Sequence, residues 1–270
     1  MAPRLSQSTG PSPPDRAARP GGEYARTDGH YPHCWLCVGP VVIVFQDVSL
    51  VYPNGVHALT EVSLTVARGE FLFLVGSSGQ GKSSLLKCVN LEVRPTEGEV
   101  DVDGQQLGDL RPRDIPFLRR KVGVVFQDFK LLHQKTVWEN VAYALQVTGA
   151  GSRDVLRRVP RTLELVGIAH KSKMFPHELS GGEQQRTAIA RSLVNNPLIL
   201  LCDEPTGNLD PDTSSEIMAL LARINAKGTT MIVATHNQAI VDRMRRRVVR
   251  LVNGRIARDE ERGRYHVGLG

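Results

Sequence analysis

The run Gly76-Ser77-Ser78-Gly79-Gln80-Gly81-Lys82-Ser83 constrains this 270-residue chain more than any other stretch. It fits G-x-x-x-x-G-K-[ST], directly after the apolar FLFLV and directly before SSLLKCVN, which reads as a helix. A strand before and a helix after are the context the motif requires. Glycines let the backbone N–H groups turn inward, and a helix N-terminus adds partial positive charge, so the segment suits phosphate. Lys82 would be a mobile charge for the outer phosphates of a nucleotide, and Ser83 would offer a hydroxyl to Mg²⁺. A plain glycine-rich turn with an exposed lysine leaves the full pattern without a reason.

Strand-like text alternates with helical text over most of the chain. VVIVFQDVSLVY and EVSLTVARGEFLFLVG precede the loop, and GEVDVDGQQL reads as strand-turn-strand around Asp103-Gly104. VGVVFQD is a further strand. TVWENVAYALQV and SRDVLRRVPRTLELVGI are helical, with Pro160 expected to break or open a helix. GGEQQRTAIARSLVNN is an amphipathic helix, PLILLCDEP a short buried strand, DTSSEIMALLARINAKG a helix closed by Gly228, and TTMIVATH another buried strand. Such alternation predicts a mostly parallel α/β sheet. In sheets of that kind ligands sit at the C-terminal strand ends. Asp203-Glu204 falls at one of them. Asp203 is placed to hold a Mg²⁺ shell, and Glu204 to polarise an attacking water.

Composition excludes several classes. Apolar residues make up 41% and charged residues 23%, ordinary for a globular protein. The net charge of +6 permits an anionic neighbour without demanding nucleic acid. Four cysteines in this length exclude a disulfide scaffold, and a reducing, cytoplasmic setting is the default. No apolar run is long enough to span a bilayer; Leu198 to Cys202 is the best.

Residues 1–40 carry PSPPD and ARPGG and no periodicity, and are expected to be a disordered leader. Cys34 and Cys37, with His30 and His33 nearby, lack a second ligand pair at zinc spacing, so no zinc is expected. The arginines at 243, 245, 246, 247 and 250 read as a solvated helix face or as a contact for anionic headgroups or a partner.

Leu179-Ser180-Gly181-Gly182-Glu183-Gln184-Gln185-Arg186, just ahead of the acidic strand, resembles the signature motif of the ATP-binding-cassette (ABC) ATPases. Other family elements follow in the family's order. Tyr52 looks like the adenine-stacking aromatic, and Gln127 like the glutamine that touches Mg²⁺ and the attacking water. Asp210, in Asn208-Leu209-Asp210, looks like part of the loop that crosses a dimer interface, and His236 like the γ-phosphate histidine. Singly, Tyr52 reads as a strand aromatic, Gln127 as a surface amide and His236 as an idle strand-end histidine. Their register with the phosphate loop and the acid pair selects the functional reading.

The resemblance covers about residues 41–262 and implies a P-loop NTPase of the ABC cassette type. That means an α/β core with a mostly parallel sheet and flanking helices, an antiparallel β subdomain, and an α-helical subdomain at about 130–180. Residues 263–270 are left as a tail. It implies ATP and Mg²⁺ as ligands. Ser77, Ser78, Gly79, Gln80, Ser83 and Ser84 would act with Lys82 on one nucleotide. Ser180, Gly181, Gly182 and Glu183 would close on the nucleotide of a second copy, giving a homodimer on ATP binding. Ser84 stands where the family usually has Thr, and Asn237 where it usually has Asp.

Ile115-Pro116-Phe117-Leu118-Arg119-Arg120, Phe175-Pro176-His177-Glu178 and Asp203-Glu204-Pro205-Thr206-Gly207-Asn208-Leu209-Asp210 resemble the cell-division branch of the family, the FtsE type. That implies an integral membrane partner resembling FtsX, a place at the cytoplasmic face of the membrane through that partner, and control of cell-wall hydrolysis. Lipoprotein-releasing and macrolide-export ATPases share the Glu-Pro-Thr-Gly-Asn-Leu-Asp stretch, so an exporter subunit is the alternative. An ATP-gated scaffold with negligible hydrolysis stands as a third reading. Members of this branch usually begin at a strand like Ile43-Val44-Phe45-Gln46, so the native start is expected at Val41 or Val42, with residues 1–40 an overextended gene model.

Overall fold

The computed structural model describes residues 40–265. The expected leader, the Cys34/Cys37 pair and the last five residues of the tail lie outside the described residues.

Two sheets form the scaffold. An antiparallel sheet is built from β1 (Val41–Val51), β2 (His57–Ala67), β4 (Glu97–Val102) and β5 (Gln105–Gln106), in the order β2-β1-β4-β5. Asp103 and Gly104 both take positive φ, 54° and 74°, and form the tight β4–β5 turn that a twisted hairpin prefers. The second sheet contains β3 (Phe71–Val75), β6 (Val122–Val125), β7 (Ile199–Asp203), β8 (Thr230–Thr235), β9 (Arg247–Val252) and β10 (Arg255–Glu260). Its order is β10-β9-β3-β8-β7-β6. Every pairing is parallel except β10 with β9.

β3 shows why its residues make a central strand. All five are buried, as a parallel strand covered on both faces requires. Phe71, Phe73 and Val75 face one apolar cluster, shared with the helical layer; Leu72 and Leu74 face the other, shared with the antiparallel sheet. Alternation along the strand therefore joins both layers. Each such side chain contributes roughly 1.5–3 kcal/mol of burial free energy.

Seven α-helices occur among the described residues: α1 (Lys82–Val89), α2 (Ile115–Lys121), α3 (Val137–Gln146), α4 (Ser152–Val166), α5 (Gly181–Leu193), α6 (Pro211–Asn225) and α7 (Gln238–Met244). α3 and α5 begin with capping boxes, Thr136/Glu139 and Ser180/Glu183, and Asp210 caps α6 by accepting from the N–H groups of Asp212 and Thr213. Within α3, the fully buried Asn140 reaches back to the preceding loop: it accepts from the N–H of Leu132 and donates to the carbonyls of Leu132, Lys135 and Thr136. It fixes the loop between β6 and the helical layer.

Two expectations are corrected. Pro160 neither breaks nor opens a helix; α4 runs through it. The buried residues Val155, Val159, Leu163 and Val166 hold one face, while Pro160 and Leu156 lie on the exposed face. The proline removes the donor for the Leu156 carbonyl on that exposed face, where solvent can compensate. The arginine run is not a helix face. It crosses from α7 through a left-handed residue, Arg245 (φ 47°), into β9.

Arg247 is only 8% exposed. It donates to Asp259 through Nε and Nη2 (2.7 and 2.6 Å), to Glu70 Oε1 (2.9 Å) and to the Thr65 carbonyl (2.8 Å), tying β2, β9 and β10 together. Burial alone would lower its pKa, but the Asp259 and Glu70 carboxylates outweigh burial and raise it. Arg247→Met should lower the unfolding free energy by about 2 kcal/mol, less than for a fully buried pair because Asp259 is partly exposed. Urea titration checks this; an unchanged midpoint would mean that the three charges add no net stability.

Candidate functional site

Four adjacent strand ends bring the site together. The sheet order β3-β8-β7-β6 places, side by side, the loop after β3, His236 after β8, Asp203-Glu204 at the end of β7 and Gln127 after β6. All four strands point the same way, so these segments meet at one C-terminal edge. They line a cleft of about 730 Å³ with Tyr52, Val56, Ala58, Ser77, Ser78, Gly79, Gly81, Lys82, Ser83, Ser84, Gln238 and Tyr265. That volume is in the range of a cofactor-sized ligand.

The loop after β3 has the backbone that the sequence demands. Gly79 and Gly81 take φ of 78° and 98°. A Cβ on Gly81 would come 2.3 Å from the Ala58 carbonyl oxygen, and one on Gly76 2.6 Å from that of Leu251, so both positions require glycine. Lys82 is 7% exposed. Its Nζ donates to the carbonyls of Gly76 (2.7 Å) and Ser77 (3.0 Å) and lies 3.8 Å from Glu204 Oε1. A buried ammonium held at the mouth of a glycine-rich loop is preset for an anion. Gln80 does not line the cleft; its Oε1 accepts from the N–H of Asn253, in the turn between β9 and β10. Gly76 is not among the cleft-lining residues either; its carbonyl accepts from Lys82.

Glu204 has φ of 49°, a left-handed backbone uncommon for a non-glycine residue. Its N–H donates to the Ala234 carbonyl (2.9 Å) and its carbonyl accepts from Gly207 N–H (3.1 Å), which fixes the turn. Strain of this kind concentrates at functional positions. The carboxylate, 13% exposed, accepts from the backbone N–H of His236 at 3.3 Å, and His236 Nδ1 lies 2.9 Å from Oε1. The His236 ring is 63% exposed and faces the cleft.

Burial pushes the Asp203 carboxyl above its ordinary range; the Ser83 hydroxyl bonded to it pulls the other way, and neighbouring Glu204 adds to the rise. A hydroxyl and a carboxylate in contact, with the Gln127 amide in the same cleft, form an all-oxygen donor set that suits Mg²⁺. Gln127 is also tied to Asn208, which donates through Nδ2 to the Gln127 carbonyl at 3.1 Å.

Tyr52 follows β1, and its hydroxyl lies 3.1 Å from Ser84 Oγ. The serine in place of threonine is therefore engaged with the aromatic of the same cleft. Asn237 accepts from Ile240 N–H at 3.2 Å and caps α7, so the amide fills the capping role in place of the family's usual acid.

Ser180, Gly181, Gly182, Glu183 and Asp210 are not among the cleft residues. They gather instead around the starts of α5 and α6. A Cβ on Gly182 would come 2.5 Å from Thr213 Cγ2. Capping hydrogen bonds hold the Glu183 and Asp210 carboxyls below their ordinary range. Sequence reasoning missed Tyr265, which was left in the tail yet is 8% exposed and lines the cleft. It also missed the β9–β10 hairpin behind the loop, although Asn253-Gly254, both at positive φ, is a hairpin signal.

Residues 59–207 match the family model described as ABC transporter. The cell division ATP-binding protein FtsE of Streptococcus pneumoniae is 54% identical over 224 residues, 83% of this chain and 97% of that protein. FtsE of Bacillus subtilis is 51% identical, over 83% of this chain and 98% of its own length. Among solved structures, the dimeric post-hydrolysis state of an ATP-binding cassette bound to ADP and Pi superposes with a TM-score of 0.75 at 34% identity, covering 83% of this chain and all of that one. Among the described residues no helix is long and apolar enough to cross a membrane.

Proposed function

Because the chain belongs to the ABC transporter family, we propose that it is the ATP-hydrolysing subunit of an FtsE-type cell-division complex, acting through a membrane partner of the FtsX type. The observation that carries the reading is the meeting of Lys82, Asp203, Glu204 and His236 in one cleft, with the Ser180–Glu183 motif outside it.

Hydrolysis joins a water oxygen to the γ-phosphorus and breaks its bond to the oxygen bridging to ADP. Glu204 polarises that water, and His236, in contact with Glu204, meets the γ-phosphate. Lys82 and the backbone N–H groups of the loop from Ser77 to Ser83 neutralise the β/γ-phosphates. Tyr52 stacks on the adenine. Ser83, Gln127 and Asp203 would hold Mg²⁺, which when bound offsets phosphate charge.

The α5 N-terminus carries a second anion-binding element that cannot serve the cleft of its own chain, so a second copy must present it. Two nucleotides sandwiched head to tail make a symmetric dimer that loosens when the γ-phosphate leaves. Membrane attachment at the cytoplasmic face comes through the partner, and no nucleic acid or zinc is required.

Trapping Glu204→Gln protein with ATP in native membranes and identifying what is recovered tests the division role. A small permease with an extracytoplasmic domain is expected. A lipoprotein- or drug-export permease would move the function to transport, and recovery of no membrane protein would favour an ATP-gated scaffold.

A further inference from the structure

The chain does not stop contributing to the site at β10. After Glu260 it doubles back across β9. Gly263 donates its N–H to the Arg246 carbonyl at 3.2 Å. A Cβ there would come 2.7 Å from Val248 Cβ, so only glycine lets the segment lie this close. Two residues on, the N–H of Tyr265 donates to Asp242 Oδ1 on α7 at 2.6 Å. The Tyr265 side chain joins the buried cluster that contains Ile240 and Val241 of α7 and Val248 of β9. On its other side it lines the cleft together with Glu204, His236 and Gln238.

α7 needs such an anchor. It has seven residues, of which only Ile240 and Val241 are buried. Short elements with few buried contacts open easily. His236 lies immediately before Asn237, the cap of α7, and its mostly exposed ring is held at Glu204. His236 thus links the end of β8 to the cap of α7, and a shift of α7 reaches it through the next residue.

We infer that Tyr265 is a positioning residue for hydrolysis: together with Asp242 it pins α7 and so keeps His236 against Glu204 at the γ-phosphate end of the cleft. The inference deepens the proposed function and rests on the reading of the Lys82–Glu204 cleft as the hydrolysis site. Tyr265 lies outside the segment 59–207 that carries the family match, and it reaches the cleft from the end of the described chain.

The test compares the full chain with Tyr265→Ala and Tyr265→Phe, measuring ATP turnover and the Kd of a fluorescent ATP analogue. Tyr265→Ala should lower kcat about tenfold, because a small misplacement of a reacting group is costly, while Kd stays within about threefold. Tyr265→Phe, which keeps the ring and the backbone bond, should restore turnover to within about twofold. A Tyr265→Ala chain with normal kcat overturns the inference. So does a parallel loss of kcat and binding that tracks the folded fraction. If Tyr265→Ala does not fold, Asp242→Ala removes the other half of the anchor, the acceptor of the Tyr265 backbone N–H, from a partly exposed position and is judged by the same split. Lys82→Ala separates the two levels of reading. Retained nucleotide binding in that variant would remove the site and the inference with it; lost binding alongside normal Tyr265→Ala turnover would remove the inference alone.

Discussion

Glu204→Gln should leave nucleotide affinity within about threefold and lower ATP turnover by about 10²–10⁴, the range that a positioned general base contributes. The amide is nearly isosteric, and the left-handed turn at position 204 is held by backbone bonds to Ala234 and Gly207 that it does not disturb. What is lost is the negative oxygen proposed to accept a proton from water. The amide also weakens the attraction to Lys82 and His236, now 3.8 and 2.9 Å from Oε1. With hydrolysis blocked and binding intact, the ATP-bound dimer should accumulate. Steady-state turnover with size-exclusion chromatography in ATP reads both effects. Undiminished turnover would remove Glu204 from its role.

Lys82→Ala acts one step earlier, and nucleotide binding itself should fall by roughly 100-fold or more, on the scale of a buried charge-assisted contact at 1.4 kcal/mol per factor of ten. Lys82 is the buried cation of the cleft, and Asp203 and Glu204 are its acids. Without the ammonium, two carboxyl groups face the triphosphate with nothing on the loop side chains to offset them. The Gly76 and Ser77 carbonyls also lose their donor, which loosens the loop. Calorimetry with ATP measures the loss; affinity near that of the unaltered chain would contradict this account of the cleft.

Most residues of the candidate site were legible in the sequence because each part is local. The glycines around Lys82 are fixed by their own backbone, and Asp203-Glu204 by the end of a short apolar run. What escaped was set at long range. Charge made Arg247 look solvated, yet Glu70 and Asp259, distant in sequence, allow it to be buried. Pro160 was expected to interrupt a helix, but apolar spacing on the opposite face decided otherwise. Tyr265 carries no motif; only the turn past Gly263 brings it to the cleft. The positive φ of Glu204 likewise cannot be read from its side chain.

The position of β3 has a consequence for synthesis on the ribosome. The strand that launches the phosphate loop pairs only with β8 and β9, Phe71 against Met231 and Leu72 against Arg247. Until most of the chain has emerged, that strand has no neighbour and the loop no rigid base. The antiparallel pair β1–β2 can form early from adjacent residues, whereas the parallel core must wait for its late strands. A rigid base for the loop is therefore expected only once β8 and β9 have been synthesised, and nucleotide binding is expected to follow them.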